Sequence, residues 1–107
     1  MNNKNFNLSG KTRSEHDLLG NMEVPVEYYF GIQTMRALDN FNISSSRLYH
    51  YPHIIVALSD VKAAAAEANQ ELGLIEPIIA KAIVQACKEI RKGKYHEYFV
   101  VDMIQGG

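Results

Sequence analysis

The chain has 107 residues, 47% of them apolar and 21% charged, a size and composition suited to one ordinary globular domain with a modest core. Its 11 basic and 12 acidic residues leave a net charge of −1 and are dispersed, which argues against a nucleic-acid or anionic-membrane partner. The single cysteine, Cys87, excludes an internal disulfide, and no apolar run approaches the ~20 residues of a membrane helix.

Residues 1–11 are rich in Asn, Ser, Lys and Gly and read as a flexible leader, with 12–107 as the domain proper. The start, Met1-Asn2-Asn3-Lys4-Asn5, has no apolar stretch of the signal-peptide kind, so a cytoplasmic protein is expected. From Thr12 to Val24 two short segments flank the turn signal Gly20-Asn21, which predicts a small β-hairpin. Pro25 suits the first turn of a helix, and Tyr28, Ile32, Met35 and Leu38 follow on one helical face. Gly31 would then lie inside that helix, at a cost of about 1 kcal/mol relative to alanine. Asn40 to Tyr51, with Ser44-Ser45-Ser46, has no period and reads as a loop.

After Pro52 the spacing 4, 3, 4, 3, 4 of Ile54, Leu58, Val61, Ala65, Ala68 and Leu72 predicts a helix of about five turns with one apolar face to bury. Gly73 is placed to end it. A further helix is expected from Glu76-Pro77, with a stripe of Ile79, Ile83, Ala86 and Ile90 widened by Ile78 and Ala82. Lys88, Arg91 and Lys92 suit its negative end, and Gly93 stops it. The short link Gly73 to Ile75 makes the two an antiparallel pair. Cys87 falls in this apolar stretch and reads as a small packed hydrophobe. Tyr95 to Ile104 shows no clear period. The fold class is therefore mainly α: an N-terminal β-hairpin, one short helix and a two-helix hairpin.

Few residues suggest chemistry. His50 and His53 flank Pro52 without the nearby Cys, Asp or Glu that a zinc site of about four ligands needs, so no metal site is expected. No glycine loop of the phosphate-cradling kind precedes a helix. Ser14-Glu15-His16-Asp17 holds residue types found in catalytic triads, but triads assemble in space, and the run reads as a polar approach to the hairpin. Arg36, away from the Tyr28-Ile32-Met35 face, and Lys62, directly after Val61 in the long helix, are suited to binding a carboxylate, Arg36 with fork geometry. The plainer reading of each is a solvated or helix-bridging cation.

Three motifs carry a resemblance. Asp17-Leu18-Leu19-Gly20, Glu23-Val24-Pro25 and Tyr28-Tyr29-Phe30-Gly31-Ile32-Gln33-Thr34-Met35-Arg36-Ala37-Leu38-Asp39-Asn40-Phe41 resemble the LLG-x-x-EVP and YYGIQTLRA-x-ENF start of the aspartase/fumarase family. Phe30 and Asp39 are small departures. Val61-Lys62-Ala63-Ala64-Ala65-Ala66-Glu67-Ala68-Asn69 resembles the family's VKKAAA-x-AN helix, with Ala63 for the second lysine. Phe99-Val100-Val101-Asp102-Met103-Ile104-Gln105-Gly106-Gly107 resembles the segment F-x-VD-x-x-QGG. Ile32 and the closing Gln-Gly-Gly match the aspartase branch rather than fumarases, which carry Ala and QTGSGT there.

The resemblance implies the N-terminal domain of a larger homotetrameric enzyme that reversibly eliminates ammonia from L-aspartate to give fumarate. It implies no organic cofactor, although divalent cations activate some members. Arg36 and Lys62 fall inside the motifs as candidate substrate-binding residues, and Gln105, Gly106 and Gly107 would lead into the substrate loop. The family's catalytic serine and other substrate contacts match no residues here, so the 107 residues are expected to be an inactive fragment. The alternatives are a class II fumarase N-terminal domain and a non-enzymatic helical interaction module.

Overall fold

A computed structural model describes residues 6–104; Met1–Asn5, within the stretch read as a leader, and Gln105–Gly107 lie outside the described residues. The mainly α architecture with a hairpin, a short helix and a helical pair is borne out. The described parts of Met1–Leu48 and Glu97–Gly107 form one compact unit, and Tyr49–His96 forms a second.

In the first unit, β1 (Thr12–Asp17) pairs antiparallel with β2 (Gly20–Pro25), in a register from Thr12 opposite Pro25 to Asp17 opposite Gly20. Burial alternates along both strands, as the two-residue period of a pleated strand requires. The inward positions of β1 are Arg13, Glu15 and Asp17, so a strand that reads as merely polar turns charge toward the protein. The turn lies at Leu18-Leu19, one step before the Gly20-Asn21 signal. Neither leucine has a positive φ; Gly20, at φ +120°, takes the left-handed conformation just after the turn. The Asp17 carboxylate accepts the Leu19 N–H at 2.9 Å and helps close the bend.

The first helix, α1 (Ile32–Asn40), begins later than its apolar spacing suggests. Pro25 ends β2, Tyr28 precedes the helix, and Gly31 is the N-terminal flanking residue rather than an interior one. Gly31 has no side chain to cap the helix, and Glu15 from β1 does so instead, accepting the Ile32 N–H at 2.8 Å. A Cβ on Gly31 would stand 2.7 Å from Glu15 Oε1. Gly31→Ala is expected to cost about 1 kcal/mol, the usual price of losing a helix cap. Unchanged urea denaturation would show that Glu15 can move aside.

The core of this unit gathers Val24, Tyr28, Ile32 and Val100, all buried. Aromatic rings extend it: Tyr28 stacks on Phe30 at 4.4 Å between centroids, and Phe6 meets Tyr28 at 4.9 Å and Tyr98 at 5.0 Å. The stretch with no clear period resolves into a 3₁₀ turn, His96–Tyr98, and a run with one isolated bridge, Asp102 to Arg47. That run pairs with residues 46–48: Leu48 N–H donates to the Val101 carbonyl at 2.9 Å and Met103 N–H to the Ser46 carbonyl at 3.0 Å.

The second unit is the antiparallel pair α2 (Pro52–Glu71) and α3 (Pro77–Arg91), each with proline in its first turn. Gly73, at φ +74°, ends α2, with the Leu74 N–H returning to the Asn69 carbonyl at 2.8 Å. The buried residues are Ile55, Ser59 and Ala66 on α2 and Ala80 and Cys87 on α3. Leu58, Val61 and Leu72, expected to face a core, are exposed.

Candidate functional site

Side-chain chemistry gathers in three places: around Arg36, around Lys62 and around Asp102. Asp17 at the end of β1 and Arg36 one turn into α1 meet at the turn end of the hairpin. Arg36 Nε donates to Asp17 Oδ2 at 2.8 Å and Arg36 Nη2 donates to Asp17 Oδ1 at 3.0 Å and to the Gly20 carbonyl at 3.3 Å. The guanidinium fork thus clamps α1 onto the hairpin turn. The pairing holds the Asp17 carboxyl below its ordinary range and raises Arg36, each mainly through this hydrogen bond. An open groove of about 640 Å³ borders the clamp, lined by His16, Leu18, Leu19, Gln33 and Phe41 among others. Leu18 and Leu19 present bare apolar surface there.

The strand supplies a second charge arrangement behind the first. Arg13 Nε donates to Glu15 at 2.7 Å, while its other nitrogens donate to the carbonyls of Pro25 at 3.0 Å and Phe30 at 2.8 Å. Arg13 and the Ile32 N–H together hold Glu15 below the usual carboxylate range. Ser14-Glu15-His16-Asp17, read as a polar approach, is therefore a structural strand whose alternate residues anchor α1.

Lys62 stands in the second unit, on the exposed side of α2, and makes no ion pair among the described residues. It lines a groove of about 420 Å³ with Leu58, Val61, Ala65, Asn69 and Ile83. Arg36 and Lys62 thus belong to different units and different grooves. Gln105, Gly106 and Gly107 lie outside the described residues.

The most constrained ionisable group is one that residue patterns did not single out. The Asp102 side chain is fully buried and accepts from the N–H groups of Ile43 at 3.1 Å, Ser44 at 2.6 Å and Ile104 at 2.8 Å, and from Ser44 Oγ at 2.9 Å. Arg47 adds an ion pair at 3.8 Å. The Ile104 and Ser44 N–H bonds, against the opposing effect of burial, bring its pKa down to about 2. Asp102 thereby staples the loop after α1 to the run that ends at Ile104. A signal was present in the sequence: one carboxylate inside Val100-Val101-Asp102-Met103-Ile104 must find partners if the run is buried. Among the described residues no group of three or more His, Cys, Asp or Glu stands together to hold a metal ion, and no helix is long and apolar enough to cross a membrane.

Comparison with known proteins matches residues 20–107 to the Lyase family. Aspartate ammonia-lyases from Pseudomonas canavaninivorans and from Helicobacter pylori strain J99 are 53% and 52% identical over 95 residues, 89% of the chain in each case. The enzyme of that name from Escherichia coli K12 is 44% identical over 101 residues. The chain spans about a fifth of the length of these relatives, 20% of the first two and 21% of the third. Among solved structures, a fumarate lyase:delta crystallin from Brucella melitensis superposes with TM-score 0.84 at 47% identity, over 86% of this chain and 20% of that one. A class II fumarase from Schistosoma mansoni gives TM-score 0.75 at 37% identity, over 85% of this chain and 19% of that one.

Proposed function

From the premise that the chain belongs to the Lyase family, we propose that it is the N-terminal part of an aspartate ammonia-lyase, which reversibly eliminates ammonia from L-aspartate to give fumarate. The observation that carries this reading is the high identity to enzymes of that name over nine-tenths of the chain, above the identity to the class II fumarase. The closing Gln-Gly-Gly and Ile32 favour the same branch.

In this reaction a base takes a proton from the carbon beside the β-carboxylate, and the electron pair left behind expels ammonia from the neighbouring carbon. Negative charge builds on the β-carboxylate before the C–N bond breaks, so cationic and N–H donors aimed there supply much of the rate. Two cations of this chain are proposed as substrate-carboxylate contacts. Arg36 has the fork geometry but spends it on Asp17, so it would serve substrate only by exchanging partners. Lys62 makes no ion pair among the described residues and stands on the rim of its groove. Gln105–Gly107 is proposed to lead into the substrate loop. The family resemblance supports a cytoplasmic homotetramer working without an organic cofactor, with divalent-cation activation open to direct assay.

The test is ammonia release from L-aspartate by the longer protein and by the 107-residue chain. Turnover is expected in the longer protein only. Dehydration of malate without ammonia release from aspartate would instead favour a fumarase, and neither activity would favour a binding module. In an active longer protein, Arg36→Ala and Lys62→Ala are expected to raise KM for aspartate on the order of ten-fold, the effect of losing about one charged contact. Unchanged kinetics at unchanged stability would return both residues to a structural role.

A further inference from the structure

The face of α2 that its sequence marks for burial is not the face that α3 covers. Counting about 100° per residue, Ile55, Ser59 and Ala66 cluster on one side, and Ile54, Leu58, Val61, Ala65, Ala68 and Leu72 are centred roughly 120° away. On that second face Leu58 is 50% exposed, Val61 69% and Leu72 72%. The same happens on α3, where Ala80 and Cys87 are buried but Ile79 is 49% exposed. The two uncovered stripes converge, because Leu58, Val61 and Ala65 of α2 line one groove together with Ile83 of α3 and Ile75 of the link.

The shape of the groove specifies its occupant. Spacings that alternate 4 and 3 keep an apolar seam straight against a second helix crossing at about 20°. A strand or a loop would not call for a seam that holds this period from Ile54 to Leu72, a length of about 27 Å. Ala65 and Ala68 leave the middle of the seam low, which suits close approach of a helical backbone. A compact protein seldom leaves so long an apolar strip in water. About four-fifths of the length of the aspartate ammonia-lyase relatives lies outside the stretch that this chain matches.

We propose that the groove between α2 and α3 is the seat of a third helix, amphipathic and about five turns long, supplied by the same polypeptide in the longer lyase. The inference rests on the reading of this chain as part of that longer protein. The helical pair is then two-thirds of a three-helix layer, and the exposed seam is an internal surface of the complete enzyme.

The test uses the longer protein carrying Val61→Cys, with Glu67→Cys as control. Glu67 lies roughly 140° round α2 from the seam, on the opposite, polar groove. Thiol labelling is followed by mass spectrometry at each peptide, so other cysteines do not interfere. The thiol at 61 is expected to react roughly ten-fold more slowly than that at 67 in the native protein, and equally fast in urea. A photo-crosslinker placed at 61 in a mixture of ¹⁴N and ¹⁵N subunits is expected to join residues spaced three or four apart, outside residues 1–107, within one isotopic species. Equal native labelling rates would overturn the proposal, as would crosslinks joining ¹⁴N to ¹⁵N subunits, which would make the occupant a second copy. If Val61→Cys does not fold, Ala65→Cys on the same seam gives the same readouts. Aspartate turnover by the unmodified protein is scored separately, so an absent activity and an uncovered seam are distinguishable results.

Discussion

Asp102→Ala should open the first unit, lowering Tm on the order of 10 °C. The side chain is fully buried and satisfies three backbone N–H groups and one hydroxyl drawn from segments nearly sixty residues apart in sequence. Alanine leaves the three backbone N–H groups without this acceptor, and the loop at Ile43-Ser44 loses its tie to Ile104. Asp102→Asn is not expected to rescue it, since the amide presents its own N–H groups to donors that need an oxygen on each side. The pH dependence carries the same signature. The folded-state pKa lies below the ordinary 3.8, so the stability from this carboxylate is fully present above about 4 and is lost as pH falls toward about 2. Glu15 and Asp17 are lowered too and act in the same direction. Urea midpoints measured from pH 7 down to pH 2 should therefore fall steeply in acid for the parent and less steeply for Asp102→Asn. Parallel acid slopes for the two proteins would show that the staple is energetically idle.

Ile55→Ala is expected to destabilise the 107-residue chain by about 2–5 kcal/mol, whereas Val61→Ala should change it by about 0.5 kcal/mol or less. Both are β-branched residues on α2, and the pattern of the sequence favours Val61 as the core position. The structure reverses that ranking: Ile55 has no exposed surface, while Val61 is mostly in solvent. Chemical denaturation of the two variants decides between them. Equal losses would mean that the seam, rather than the Ile55 side, is what the folded chain buries.

What the sequence made legible divides along the same line. The helical pair was readable because Pro52 and Pro77 open its members, Gly73 closes the first, and the long apolar period excludes a strand. The hairpin was readable from its turn residues, although the turn sits at two leucines and Gly20 serves just after it. The start of α1 was not readable. Tyr28 fits the helical period with Ile32, yet it belongs to the aromatic core, and the true cap comes from Glu15 on another element. Periodicity also shows that a face wants cover without showing which neighbour provides it. Asp102 escaped notice because its importance lies in partners distant in sequence. Arg36 was picked out by motif as a candidate substrate contact, and the structure adds a salt-bridge clamp that no spacing rule contains.

The inward charges of β1 have one more consequence. Sliding β1 by a single residue against β2 would turn Arg13, Glu15 and Asp17 out to water and bring Thr12, Ser14 and His16 in. In an ordinary hairpin an oily face forbids such a slip, but here the inner face of β1 has no grease to lose. What distinguishes the correct alignment is a set of polar partners: Arg13 meets the carbonyls of Pro25 and Phe30, and α1 offers Arg36 to Asp17 and its first N–H to Glu15. The helix therefore helps to fix the register of the ribbon. A peptide covering the ribbon without the helix is expected to sample misaligned pairings, seen as cross-strand contacts outside the Thr12-to-Pro25 register.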